Sequence, residues 1–258
     1  MSTTLLRKYA LSFACLATLS STTEAALTIS ATRVVHPGDQ HSSSIVVANP
    51  SNITYATQAW VNTAADDTST AVPFAVSPTL FRLDPKREQL VKINALPNNL
   101  PTDRESLFYF NVQEIPQIDS GQDNVLKIAL RTRIKLFYRP SQVKGVPEQH
   151  LDSLQWSLAS NNGKTFLQVL NPTPYHFTFG RLEVGAPGKI EKIDTALMAM
   201  PMQTQSFELK TTQASKGLQV QFTTINDYGG TTRLVEKPLP WSPQAVDLRL
   251  CARRSAEW

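Results

Sequence analysis

The segment 124–140, NVLKIALRTRIKLFYRP, constrains the fold more than any other, because its even positions from 126 to 138 are Leu, Ile, Leu, Thr, Ile, Leu and Tyr. Alternation with a period of two places side chains on opposite faces of a β-strand. One face is thereby apolar, and the other carries Lys127, Arg131, Arg133 and Lys135. At about 3.3 Å per residue such a strand would reach roughly 40 Å or more, well beyond the usual five or six residues. Its length admits two readings: a core strand with a solvated basic face, or an interaction strand whose apolar row is kept for a partner.

The rest of the chain reads as more of the same structure. Strand-like runs recur at 45–48, 55–61, 90–93 and 107–115, and a second series follows at 154–158, 166–170, 177–184, 206–209, 218–225 and 246–250. Residues 194–200 keep a helical period for one short turn at most. Short strands, 17 prolines and regular turn residues predict an all-β protein of antiparallel sandwiches rather than an α/β enzyme. The two series are separated by SQVKGVP at 141–147, where Gly145 and Pro147 break the pattern. The expected organisation is a first domain over 26–140, a linker over 141–147 and a second domain over 148–258.

Residues 1–25 read as an export signal, with Arg7 and Lys8 ahead of a short apolar stretch and Thr23-Glu24-Ala25 as an A-x-A-like cleavage site. That stretch is about half of the ~20 residues that cross a bilayer, so removal is expected rather than anchoring. Ser12-Phe13-Ala14 is a poor lipobox for Cys15, which is assigned to the discarded segment. Cleavage leaves 233 of the 258 residues, with 23 basic and 20 acidic side chains. A charge of +3 gives no case for nucleic acid by itself. Only Cys251 remains, so no intrachain disulfide can form and stability must come from hydrophobic cores.

Little in the chain converges on chemistry. His36, His41, His150 and His176 are scattered, and none lies in a metal-ligand spacing, so satisfied or solvated histidines are the expectation. There is no G-x-S-x-G elbow and no phosphate-binding glycine loop, while Gly229-Gly230 reads as turn chemistry. Neither an enzyme nor a cofactor is expected. A secreted adhesin or carbohydrate-binding module would need Trp60, Trp156 or Trp241 on the surface, although Trp60 in an alternating run is expected in the core.

The segment LPTDRESLFYFNVQEIP at 100–116, followed by IKLFYRP at 134–140, resembles the signature of periplasmic pilus-assembly chaperones of the chaperone/usher pathway. Further matches follow in chain order: LTISATR at 27–33, Gln58-Ala59-Trp60, Phe81-Arg82-Leu83, NPTPY at 171–175 and INDYGG at 225–230. The resemblance implies two immunoglobulin-like β-sandwich domains set at an angle with an interdomain cleft. It also implies a periplasmic location and donor-strand complementation, in which the chaperone lends a strand to a pilin subunit that lacks one and passes it to an outer-membrane usher. The lent row would be Leu126, Ile128 and Leu130, worth roughly 5 to 9 kcal/mol at about 1.5 to 3 kcal/mol per side chain before ordering costs.

Two charged sets come with the resemblance. Arg33 and Lys135 would hold the subunit's C-terminal carboxylate, which fixes a register that strand pairing leaves free to slip by two. Glu105, Arg139 and Asp227 would form a buried salt-bridge set between the domains. The short loop 117–124, without a cysteine pair, resembles the subclass that assembles rod-like pili. An unpaired apolar edge also predicts self-capping of the free protein as a homodimer, measurable by light scattering. The chain departs from the family pattern after Gly230, where Cys251 stands alone instead of a cysteine pair, and at Thr54 and Ser77, where proline is common.

Overall fold

The computed structural model describes residues 27–67, 69–115 and 128–240. The expected export signal, the loop 117–124, Leu126, Trp241, the strand 246–250 and Cys251 lie outside the described residues.

The first series forms β1 (Thr28–Ile29), β2 (Arg33–Pro37), β3 (Ser42–Ala48), β4 (Tyr55–Asn62), β5 (Phe74–Ser77), β6 (Leu80–Leu83), β7 (Glu88–Ala95), β8 (Ser106–Ile115) and β9 (Arg131–Arg139). They make two sheets, ordered β1-β3-β7-β5 and β2-β9-β8-β4-β6. Alternate side chains of both sheets meet in one core: Ile45 and Val47 from β3 and Val91 and Ile93 from β7, against Ala59, Phe108, Phe110, Ile134 and Leu136. This is the period-two pattern in use, with Phe110 opposite Ile134 and Phe108 opposite Leu136 across the β8–β9 pair.

The second series forms β10 (Gln155–Asn161), β11 (Lys164–Asn171), β12 (Phe177–Ala186), β13 (Lys189–Lys192), β14 (Met198–Ala199), β15 (Gln203–Leu209), β16 (Gln219–Thr224) and β17 (Val235–Pro238). One sheet runs β10-β11-β15 and the other β13-β12-β16-β17, with β14 paired to β12. Their core packs Trp156, Leu167, Val169 and Phe207 against Phe179, Leu182, Val220 and Phe222. Each sandwich therefore has its own apolar cluster, consistent with a molecule of two domains.

Two expectations need correction. Among the described residues the long strand begins at Arg131, nine residues in all, and Ile128 to Leu130 precede it without strand pairing. The turn expected at 194–200 is not helical: Asp194 Oδ1 accepts from the Ala196 amide at 3.0 Å, and Met198 and Ala199 pair with β12. A side chain that satisfies a nearby amide competes with helix formation, and this segment takes the alternative. The described helix is instead a 3₁₀ turn at Pro147–Ser153, started by a proline at its first position.

An unexpected repeat links the two sandwiches. Asn49-Pro50-Ser51 follows β3, and Asn171-Pro172-Thr173 ends β11. Asn49 Nδ2 donates to the carbonyls of Ile53, Leu83 and Asp84, while its Oδ1 accepts from the Ser51 amide and hydroxyl. Asn171 does the same with the carbonyls of Tyr175, Ala199 and Met200 and with Thr173. Both asparagines are fully buried, and each satisfies carbonyls that would otherwise be stranded where a chain leaves its sheet.

Candidate functional site: the interdomain cleft

β9 positions most of the site. It pairs with β2 over Lys135 to Arg139 and with β8 over Arg131 to Tyr138, so Arg131 to Ile134 pair with β8 alone. Its first half is thus a sheet edge among the described residues. Leading into that edge, Ile128 is 63% and Leu130 49% exposed, large apolar side chains open to solvent. The Leu130 carbonyl still accepts from the Glu114 amide at 3.1 Å, so the chain enters the edge already aligned beside β8.

The odd-numbered face of β9 turns to the second domain. Phe137 is buried there with its ring 5.3 Å from that of His176. Arg139 lies beyond it as a hub. Its Nε donates to Glu105 Oε1 at 2.8 Å, and its Nη1 and Nη2 donate to Asp227 at 2.7 and 2.9 Å, the bidentate geometry that a planar guanidinium favours. Burial opposes the Arg139 charge, but the hydrogen bonds and charges of Asp227 and Glu105 outweigh it and hold its pKa above the ordinary value. Glu105 Oε2 in turn accepts from the His176 amide at 2.8 Å and lies 3.1 Å from His176 Nδ1.

Glu105, Arg139 and Asp227 are therefore in mutual contact, and His176, expected among the scattered histidines, joins them as a fourth member. Its signal was position: His176 directly follows NPTPY, whose asparagine knot aims the next residues at the first domain. The Pro174 carbonyl accepts from the Glu105 amide at 2.9 Å, and the Tyr175 hydroxyl donates to the Lys144 carbonyl at 2.8 Å.

Arg33 and Lys135 stand opposite one another in the parallel β2–β9 register. Parallel neighbours lie about 4.8 Å apart, so two cations are forced side by side. Arg33 is 8% exposed; its Nη1 donates to the Ile225 carbonyl at 2.8 Å, its Nε is buried without a hydrogen-bond partner, and its guanidinium carbon lies 5.8 Å from the centre of the Phe137 ring. Lys135 Nζ has the Thr178 hydroxyl at 3.4 Å. Among the described residues neither cation has a carboxylate within ion-pair distance. Burial lowers both pKa values; the Arg33 charge lowers that of Lys135 further, whereas Asp227 and Glu105 partly restore that of Arg33. Arg33, Glu105 and Phe137 form one wall of a narrow cleft whose other wall includes His176, Ile225 and Asp227.

The tryptophans give no exposed platform among the described residues. Trp156 is core, and Trp60, expected in the core, is half-buried on the outer sheet face with the Arg131 guanidinium 5.0 Å from its ring. The alternation of β4 sends Tyr55, Thr57, Ala59 and Val61 inward, which leaves Trp60 facing out under its arginine. His36 is fully buried, with Gln40 and Ser43 as polar partners.

Comparison with known proteins agrees with this architecture. Residues 26–144 match the family model described as the pili and flagellar-assembly chaperone, PapD N-terminal domain, and residues 149–236 match the pili assembly chaperone PapD, C-terminal domain. The probable fimbrial chaperone YadV of Escherichia coli K12 is 36% identical over 230 residues, covering 86% of this chain and 93% of that protein. The crystal structure of YadV superposes with a TM-score of 0.71 over 83% of this chain and 99% of its own. The SafB chaperone of Salmonella enterica, solved in complex with the SafA pilin, is among the similar structures at 27% identity, with a TM-score of 0.72 over 85% of this chain and 99% of that chain. With both family models matched in order along one chain, and relatives above one third identity over most of its length, the protein belongs to the PapD-like family of pilus-assembly chaperones.

Proposed function

We propose that this chain is a periplasmic chaperone that captures pilin subunits by lending them a strand, anchors their C-terminal carboxylate at Arg33 and Lys135, and delivers them to an outer-membrane usher. The observation that carries the reading is the cation pair. Placing two partly desolvated positive charges in adjacent register costs stability, and the arrangement is useful where an anion arrives to neutralise them. A carboxylate is the matching group, since Arg offers parallel N–H donors and Lys a compact charge.

The unpaired edge of β9 and the exposed Ile128 and Leu130 support the lent row, to which Leu126 is assigned with them. An edge strand pairs readily with another chain, and alternate apolar side chains fill a complementary groove. Residues 1–25 act in this reading as a cleaved export signal. The chain divides into a first domain over 26–140, a linker over 141–147 and a second domain over 148–258. Glu105, Arg139 and Asp227 act as the tie between the domains rather than as binding groups.

Periplasmic co-expression with a pilin from a neighbouring gene tests the reading. The parent should protect the subunit, and Arg33→Ala, Lys135→Ala and Ile128→Glu should each reduce its recovery at least tenfold, as expected for loss of one charged hydrogen bond or one buried side chain of about 1.5 to 3 kcal/mol. Normal recovery with both anchor variants would sink the carboxylate assignment, and normal recovery with Ile128→Glu the lent row.

A further inference from the structure

The turn Asn226 to Gly230 makes three contacts with the first domain within a few residues. The Ile225 carbonyl just before it accepts from Arg33 Nη1 at 2.8 Å, and the Asp227 carboxylate takes the Arg139 pair at 2.7 and 2.9 Å. The third contact is steric: Gly229 lies so close to Thr32 that a methyl group at its Cα would fall far inside van der Waals distance of the Thr32 hydroxyl oxygen, and 3.6 Å from Thr32 Cβ. Thr32 is the residue directly before Arg33.

The turn is stiff. Asn226 Oδ1 accepts from the amides of Tyr228 and Gly230 at 3.1 and 2.8 Å, the Asn226 amide donates to the Gly230 carbonyl at 2.8 Å, and the Gly229 amide returns to the Asn226 carbonyl at 3.0 Å. Gly229 itself has φ +85°, which a glycine adopts without cost. A turn closed by four hydrogen bonds transmits a push at one residue to its neighbours. Bulk at position 229 would therefore lift the Ile225 carbonyl from Arg33 and the whole turn from the first domain.

We propose that the contact between Gly229 and Thr32 is a spacer that fixes how far the Arg33 guanidinium reaches into the cleft, which makes both of them positioning residues of the carboxylate site; this rests on the reading of Arg33 and Lys135 above. Neither touches the carboxylate. Thr32 is exposed, its hydroxyl is open to solvent, and its part against the turn is volume. A side chain at 229 and a side chain at 32 compete for one space, and the distance that results is read out at residue 33.

The test is a double-mutant cycle of Gly229→Ala and Thr32→Ala, with Gly230→Ala as a control whose added methyl meets only ordinary 3.4 Å contacts with Asn226. The probe is a synthetic decapeptide of alternating Val and Thr with a free C-terminal carboxylate, alongside its C-terminal amide. Gly229→Ala should weaken binding of the acid about tenfold without changing binding of the amide, and should shift the ¹⁵N–¹H signal of Arg33 Nε. Thr32→Ala alone, which removes the other half of the spacer, should move the Arg33 signal and weaken binding of the acid about threefold, and the double variant should recover part of the affinity lost in Gly229→Ala, the remainder being the strain of a β-carbon at φ +85° that both Gly229 variants share. A double variant no better than Gly229→Ala, or an Arg33 signal that does not move, overturns the spacer. Equal binding of acid and amide by the parent would instead overturn the carboxylate reading, and the Arg33 signal would still decide the spacer.

Discussion

Arg33 and Arg139 reach the same segment of the second domain, Ile225 to Asp227, from adjacent strands, and their surroundings differ in one respect. Arg139 is enclosed by Glu105 and Asp227, each at hydrogen-bond distance, and its charge is answered within the molecule. Arg33 is more deeply buried yet meets a carbonyl and an aromatic ring, and its neighbour in register is another cation. A closed ion set holds two domains in place. In the proposed function the open one is completed by a negative group from outside.

Substitutions on the two sides of this contrast should separate cleanly. The largest effect is expected for Glu105→Ala, which leaves Arg139 short of one partner and strands the His176 amide; a loss of about 3 to 5 kcal/mol in urea unfolding is expected, with subunit recovery falling only as far as the folded fraction does. Arg33→Ala should do the reverse: a 10- to 100-fold loss of affinity for a subunit or terminal-carboxylate peptide, with unfolding within about 1 kcal/mol of the parent. If its unfolding fell as far as that of Glu105→Ala, the open pair would be structural as well. Asp227→Asn keeps the shape of the Arg139 pair but drops its charge, and about 1 kcal/mol of destabilisation is expected from the same unfolding curves.

The smallest effect is a pH dependence. The folded state holds the Lys135 proton less tightly than the unfolded chain does, because burial and then Arg33 lower its pKa below 10.5. Its unfavourable contribution is full below that lowered pKa and is relieved as pH rises through it, since the unfolded chain then binds the extra proton. Thermal melts of the parent should gain on those of Lys135→Met across this alkaline window. Affinity for a terminal carboxylate should fall over the same range, and parallel curves for the two proteins would show that Lys135 is an ordinary solvated amine.

Much of this was legible in the sequence because periodicity reports burial against one's own sheet. The even positions of β9 turned inward as read, with Ile134 and Leu136 in the core. Phe137, an odd position, is buried as deeply, because a second domain covers that face, and no local pattern encodes a surface supplied from 39 residues away. Trp60 illustrates the same limit: alternation fixed its face, while its cover is a cation from another strand. His176 was missed because a lone histidine carries no spacing signal, whereas the recurrence of Asn-Pro-Ser/Thr at 49–51 and 171–173 was present and unread. The residues placed by resemblance, Glu105, Arg139 and Asp227, come together through three distant segments, which chain order alone does not bring into contact.

The in-register pairing of Arg33 with Lys135 has one more consequence. It sets a zero mark on β9, and Leu130 and Ile128 lie five and seven residues back from it. In the proposed grip a partner strand is counted from its end, and because side chains alternate, what matters first is whether the count is odd or even. A partner lengthened at its terminus by one residue would turn its apolar side chains away, and by two would turn them back one step out of place, so affinity should oscillate with the parity of the added tail.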